Sequence, residues 1–213
     1  MASWGGWGYP SIWALVQERA EACIALSTEG GFALWVVWGT LLQSWVLVAE
    51  RQKKEDLADL RRGLTEYQAL GAKVGQSVFL AWLAEAYGKV GQYEEAHAAL
   101  AEALDVVART GERVWEAEVY LLKGESTLPP NRSTQDTSTD EAEACFLTAI
   151  EIAQRQQAKS LELRAATSLA RLWQQQGKRA EAHQLLSAIC AWFTEGFDTK
   201  DLQEAKALLE ELH

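Results

Sequence analysis

Apolar positions recur at helical spacing along most of this chain. In residues 77–104, SVFLAWLAEAYGKVGQYEEAHAALAEAL, Leu80, Leu83, Ala84 and Tyr87 fall at i, i+3, i+4 and i+7, the spacing of one helix face. Gly91 can take the left-handed conformation that ends such a helix, and Tyr93 starts a second one. On the second helix Ala96, Leu100 and Ala103 share a face, where small alanines let two helix backbones approach closely. The stretch therefore reads as one complete helix–turn–helix unit.

The punctuation of that unit recurs. Thr28-Glu29-Gly30, Ala69-Leu70-Gly71, Arg109-Thr110-Gly111, Gln156-Gln157-Ala158 and Thr194-Glu195-Gly196 each close one periodic segment and open another, and their third residues are 41, 40, 47 and 38 apart. Self-similarity near forty residues is the signature of a helical solenoid. The expected organisation is a flexible aromatic lead over 1–10, a half-repeat over 11–29, pairs over 31–70, 72–110, 112–157 and 159–195, and a capping helix over 198–213. The long step is assigned to an exposed Ser/Thr/Pro-rich loop over 126–139, with Asp140 and Glu143 starting the next helix as a capping box.

The unit resembles the tetratricopeptide (TPR) repeat, with Leu80 where the repeat usually has Trp and Ala84 where it usually has Gly. Ala142, Phe146 and Ala149 match the Ala-x3-Phe-x2-Ala spacing of its second helix closely. This resemblance implies an all-α fold, a right-handed TPR-like α–α superhelix of nine or ten helices. It also implies a concave groove lined by the first helix of each pair. Carried onto this sequence, the groove residues are Val36, Gln43, Val78, Trp82, Glu85, Lys89, Glu118, Leu122, Arg164, Arg171 and Gln174. Such a groove runs from apolar through acidic to a pair of arginines suited to carboxylate capture.

The segments GERVWEAEVYLLKGE (111–125), EAEACFLTAIEIAQRQQAKSLELRAATSLARLWQQQGKRAEA (141–182) and WFTEGFDTKDLQEAKALLEEL (192–212) also resemble the C-terminal TPR region of large bacterial multidomain signalling proteins. In those proteins a cyclase-type or DNA-binding domain and a P-loop ATPase precede the repeats, and this chain contains neither. The resemblance implies a non-enzymatic scaffold or sensor arm that binds a peptide or partner domain. The alternatives are a regulatory or dimerisation module packing through its N-terminal edge, and a small-molecule sensor.

Composition narrows the picture further. Three prolines, Pro10, Pro129 and Pro130, leave residues 11–128 free for uninterrupted helices. Thirty acidic against twenty basic residues give a net charge of −10, which repels nucleic acid and anionic membranes. The lead lacks the basic-then-apolar layout of a signal peptide. Cys23, Cys145 and Cys190 are far apart and odd in number, so they read as buried thiols of a cytoplasmic protein with no disulfide framework.

Residues 31–49 are uncharged and long enough to span a bilayer, but the internal Trp38, Gln43, Ser44 and Trp45 and the stripe Trp38, Leu41, Leu42, Trp45 favour a solenoid helix buried on nearly all sides. Trp4, Trp7, Trp13 and Trp35 are candidates for an N-terminal interface, which a homodimer could cover.

Candidate chemistry is sparse. His97 and His183 occupy equivalent repeat positions and read as repeat residues, not as metal ligands. The glycines are single and turn-spaced, with no phosphate-binding loop, and Glu94-Glu95 and Glu210-Glu211 read as solvated surface. No catalytic residue, metal or cofactor is expected.

Overall fold

The computed structural model describes residues 10–51, 54–128 and 137–213. Those residues form ten α-helices and no strand: α1 (Pro10–Gly30), α2 (Ala33–Arg51), α3 (Lys54–Ala69), α4 (Gln76–Lys89), α5 (Tyr93–Thr110), α6 (Glu116–Thr127), α7 (Thr137–Arg155), α8 (Lys159–Gln175), α9 (Arg179–Cys190) and α10 (Lys200–Leu212). Two compact units divide the chain between Glu112 and Arg113.

In the N-terminal unit α1 packs on α2, α2 on α3 and α4 on α5, while α4 also touches α2 and α3. The apolar stripes explain these neighbours. Leu57, Leu60, Leu64 and Tyr67 of α3, Leu80, Leu83, Ala84 and Tyr87 of α4, and Ala96, Leu100 and Ala103 of α5 are all buried. Each large apolar side chain removed from water contributes roughly 1.5–3 kcal/mol, which offsets the ordering of the chain.

Close packing sets one glycine. A Cβ on Gly39 of α2 would lie 2.7 Å from Ile24 Cγ1 and 3.1 Å from the Ala20 carbonyl oxygen of α1, so this crossing admits no larger residue without a shift. The segment before α4 is fixed from two sides. The Tyr67 hydroxyl donates to the Val74 carbonyl, and the Gly75 amide donates to both carboxylate oxygens of Glu112, at 2.8 and 3.0 Å. Glu112 thus places a negative charge at the positive end of α4.

In the C-terminal unit α6 packs on α7, α7 on α8, α8 on α9, and α10 on both α8 and α9. One core runs from Leu121 through Phe146, Leu163, Leu169 and Leu186 to Leu202 and Leu208. Ala142, Phe146 and Ala149 are buried against it, and a Cβ on Gly124 would meet the Phe146 ring at 2.5 Å. The α6–α7 crossing therefore fits a ring on one helix into the missing side chain of the other.

Several sequence expectations need correction. Helix α6 continues through Ser126 and Thr127, both buried, and their hydroxyls are satisfied within the helix by donating to the Lys123 carbonyl at 3.0 and 2.8 Å. Helix α7 already begins at Thr137, so Asp140 lies inside its first turn and does not cap it. Residues 129–136 of the expected loop lie outside the described residues. At two of the boundary triplets the left-handed residue is Gly31, just after Gly30, and Gln157, just before Ala158. Helix α2 is long and apolar enough to cross a membrane by length and composition, yet its apolar stretch is only 39% buried, with Leu34 and Trp35 exposed. The helix buried nearly all round is α4, where Ser77 to Gly88 are buried apart from the half-buried Trp82.

Candidate binding surface

The first helices of successive pairs touch each other, α2 with α4 in one unit and α6 with α8 and α8 with α10 in the other. The expected groove residues lie along these rows, and most are committed to holding neighbouring first helices together.

In the N-terminal unit the link is a buried carboxylate between aromatic rings. Glu85 is 8% exposed, accepts from Trp45 Nε1 at 3.0 Å and pairs with Lys89 Nζ at 2.8 Å. Burying a carboxylate is costly unless charge-assisted hydrogen bonds surround it, and here two do. Trp45 stacks on Trp82 at 5.0 Å between ring centroids. Phe79 sits edge-on to Trp82, Trp38 and Tyr67. Burial raises the phenol pKa of Tyr67, with Trp38 partly offsetting the rise. Val36, Gln43 and Trp82 keep partial exposure, whereas Val78 is buried at 2%. Val78 is not a groove residue, because α4 is enclosed by α2, α3 and α5.

In the C-terminal unit the link is ionic. Arg164 of α8 donates to Glu118 of α6 through both terminal nitrogens, at 2.7 and 3.0 Å, and Ser168 Oγ donates to Glu125 at 2.9 Å. On the other side Arg171 donates to Glu204 of α10 at 2.8 Å and Gln174 Nε2 donates to Glu211 at 3.3 Å. Burial works against the charge on Arg164, but Glu118, Glu125 and Asp201 outweigh it, so this guanidinium holds its proton more tightly than an ordinary arginine. Burial also pushes the Asp201 carboxyl up, Arg164 pulls it down, and nearby Glu204 raises it again.

Arg164 is therefore committed to Glu118, whereas Arg171 pairs with Glu204 through one nitrogen and keeps a side chain 45% exposed; Leu122, 3% exposed, is not a surface residue. Sequence reading missed Glu125, Ser168, Asp201, Glu204 and Glu211. The available signal was spacing: Glu118 and Glu125, Arg164 and Arg171, and Glu204 and Glu211 are each seven residues apart, which stacks them two turns along one face.

Of the expected N-terminal interface, Trp35 is half-exposed and lies 6.2 Å from Trp38 between ring centroids. Trp4 and Trp7 lie outside the described residues, and so does the side chain of Trp13.

A cleft of about 550 Å³ lies elsewhere in the C-terminal unit, between Gln154, Glu162, Trp173, Leu185 and Trp192. Its α8 residues are on the side of the helix opposite Arg164 and Arg171. There the buried Glu162 carboxylate accepts from Gln154 at 3.0 Å and Lys159 at 2.6 Å. Among the described residues no three or more His, Cys, Asp or Glu side chains gather into a metal-binding group.

Paired helices with glycine turns, alanines at the crossings and touching first helices define a TPR-like repeat fold. Solved structures agree. The chain is similar to BtubC (BKLC) from P. vanneervenii, with a TM-score of 0.68 and 16% identity over 94% of this chain and 87% of that one. It is also similar to a Podosopora anserina putative kinesin light chain with nearly identical TPR-like repeats, with a TM-score of 0.57 and 19% identity over 83% and 85% of the two chains. No family model matches the sequence. No curated protein matches it either.

Proposed function

We propose that the chain is a non-enzymatic protein-interaction scaffold whose first-helix face in the C-terminal unit takes a basic segment of a partner protein. The observation that carries this reading is charge. On that face Glu118, Glu125, Asp201, Glu204 and Glu211 outnumber Arg164, Arg171 and Lys200, within a chain of net charge −10. A basic segment would gain from that excess, whereas an acidic one would have to displace internal pairs first. The same charge argues against nucleic acid and anionic membrane as partners. The likeness of residues 111–125, 141–182 and 192–212 to bacterial signalling proteins supports a role as a cytoplasmic sensor or interaction arm.

Fluorescence anisotropy with matched basic and acidic peptides tests the proposal. Basic peptides should bind saturably, lose affinity with added salt, and bind a Glu204→Lys chain more weakly, with circular dichroism confirming that this variant folds. Preference for acidic peptides, or indifference to Glu204→Lys, overturns the reading.

A second reading rests on the N-terminal unit. Leu15 and Leu26 are exposed and eleven residues apart, about three turns, so they share one side of α1, and Phe32, Leu34 and Trp35 add exposed apolar surface at the start of α2. The Cys23 thiol meets the Trp35 carbonyl at 3.5 Å, which joins the two helices there. A patch of this kind suits a two-fold contact between copies. Light scattering should give a dimer that Trp35→Glu converts to monomer; a monomeric parent chain refutes it.

A further inference from the structure

His183 and His213 lie thirty residues apart in sequence, on α9 and just past the end of α10, and their Nε2 atoms stand 3.2 Å from each other. The rings are tilted by 62° with centroids 4.5 Å apart, so the nitrogens face one another and the rings do not stack. We infer that this pair is a chelating site for a late first-row divalent cation of the zinc class, clamping the C-terminal end of α10 to α9.

The geometry carries the inference. Two imidazole nitrogens each about 2.0–2.1 Å from one metal are separated by about 2.9 Å at a right angle and about 3.4 Å at the tetrahedral angle. The 3.2 Å separation falls between these values, so an ion can be accepted with small side-chain rotations. Both residues reach solvent, which supplies an entry path and water for the remaining coordination positions.

The backbone around the pair is held before any metal arrives. Arg179, one turn before His183, donates to the Glu211 carbonyl, and Gln174 donates to the Glu211 carboxylate at 3.3 Å, which fixes the end of α10 against α8 and α9. The Arg179 charge opposes a dication, and the carboxylate of Glu211, the residue whose carbonyl Arg179 binds, partly offsets it within a chain of net negative charge. Imidazole with water suits zinc, nickel or copper, and is a poor set for the oxygen-seeking magnesium or calcium. The proposal is independent of the peptide-binding reading, since no residue of that face is a ligand here.

The chain contains a third histidine, His97, which serves as an internal control. Calorimetric titration of the full chain with zinc chloride should show one ion per chain, and magnesium chloride should give no heat of binding. His183→Gln should weaken zinc by at least about tenfold, the loss that even an outer partner of a metal ligand causes. His97→Gln should leave it unchanged. Zinc should raise the melting temperature of the parent chain and not that of His183→Gln. Should His183→Gln fail to fold by circular dichroism, His213→Gln carries the same test. Absence of saturable binding, equal losses in the His97 and His183 variants, or binding abolished by thiol blocking overturns the assignment.

Discussion

The two units join adjacent first helices by different physics. In the N-terminal unit the junction is aromatic: Trp45 stacks on Trp82, Phe79 meets Trp38, Tyr67 and Trp82, and the one carboxylate involved, Glu85, is sealed among them. In the C-terminal unit the junction is a ladder of ion pairs and hydrogen bonds, from Glu118 through Arg164 and Arg171 to Glu204. Apolar contact is insensitive to salt and pH, but its cost rises steeply when a ring is removed. Partly exposed ion pairs are individually weaker and titrate. One repeat geometry is thus compatible with either junction, and the ionic one leaves charge at the surface.

The largest effect expected from breaking this contrast is at Phe79, fully buried between three rings. Phe79→Ala should cost about 3–5 kcal/mol in denaturant unfolding followed by tryptophan emission, with little dependence on added salt. A loss within about 0.5 kcal/mol, the range of ordinary surface substitutions, would mean the aromatic junction does not stabilise the unit.

The sequence made the helix faces legible because packing within a hairpin is local. The stripes at 80, 83, 84 and 87 and at 96, 100 and 103 bury as the period requires. The ion-pair ladder of the C-terminal unit was not legible, because reading Arg164 along its own helix finds no partner within reach. Its carboxylate is 46 residues away and that of Arg171 is 33 away. Apolarity misled as well: α2 is the more apolar helix and, like α4, touches three others, yet its first turn leaves Leu34 and Trp35 exposed, whereas α4 is buried from Ser77 to Gly88 apart from Trp82. Gln157 shows a third limit. It adopts φ 57° at a turn where other repeats use glycine, because the turn between α7 and α8 dictates the backbone and the residue tolerates it.

The ionic junction gives the intermediate effect. Arg164→Met and Glu118→Leu should each cost about 2–3 kcal/mol, below the 3–5 typical of a fully buried pair. The reason is that these side chains keep 21% and 16% exposure. The double variant should cost less than the sum of the singles, with a coupling of about 0.5–3 kcal/mol. Additive losses would show that the two side chains stabilise the unit separately, and the contrast with the aromatic junction would then fail.

The smallest effect isolates the proton. The ordinary value for Asp201 is 3.8, and the folded chain raises it, through burial first and Glu204 as a lesser cause, with Arg164 and Lys200 pulling the other way. Arg164 favours the ionised form, so the net upward shift means that desolvation outweighs the arginine. The sign of the linkage follows. Between the ordinary value and the raised one the folded chain holds more proton than the unfolded chain, so stability from this group is full at lower pH and is lost as pH rises through the folded value. At neutral pH the ionised Asp201 is therefore a net cost, which Asp201→Asn removes without changing shape. Melting curves across the acidic to neutral range should show the Asn variant slightly more stable at neutral pH, with the advantage shrinking as pH falls through the carboxylate range. A less stable variant at neutral pH would mean that attraction to Arg164 dominates at this position, and that the carboxylate belongs to the ladder as a tie.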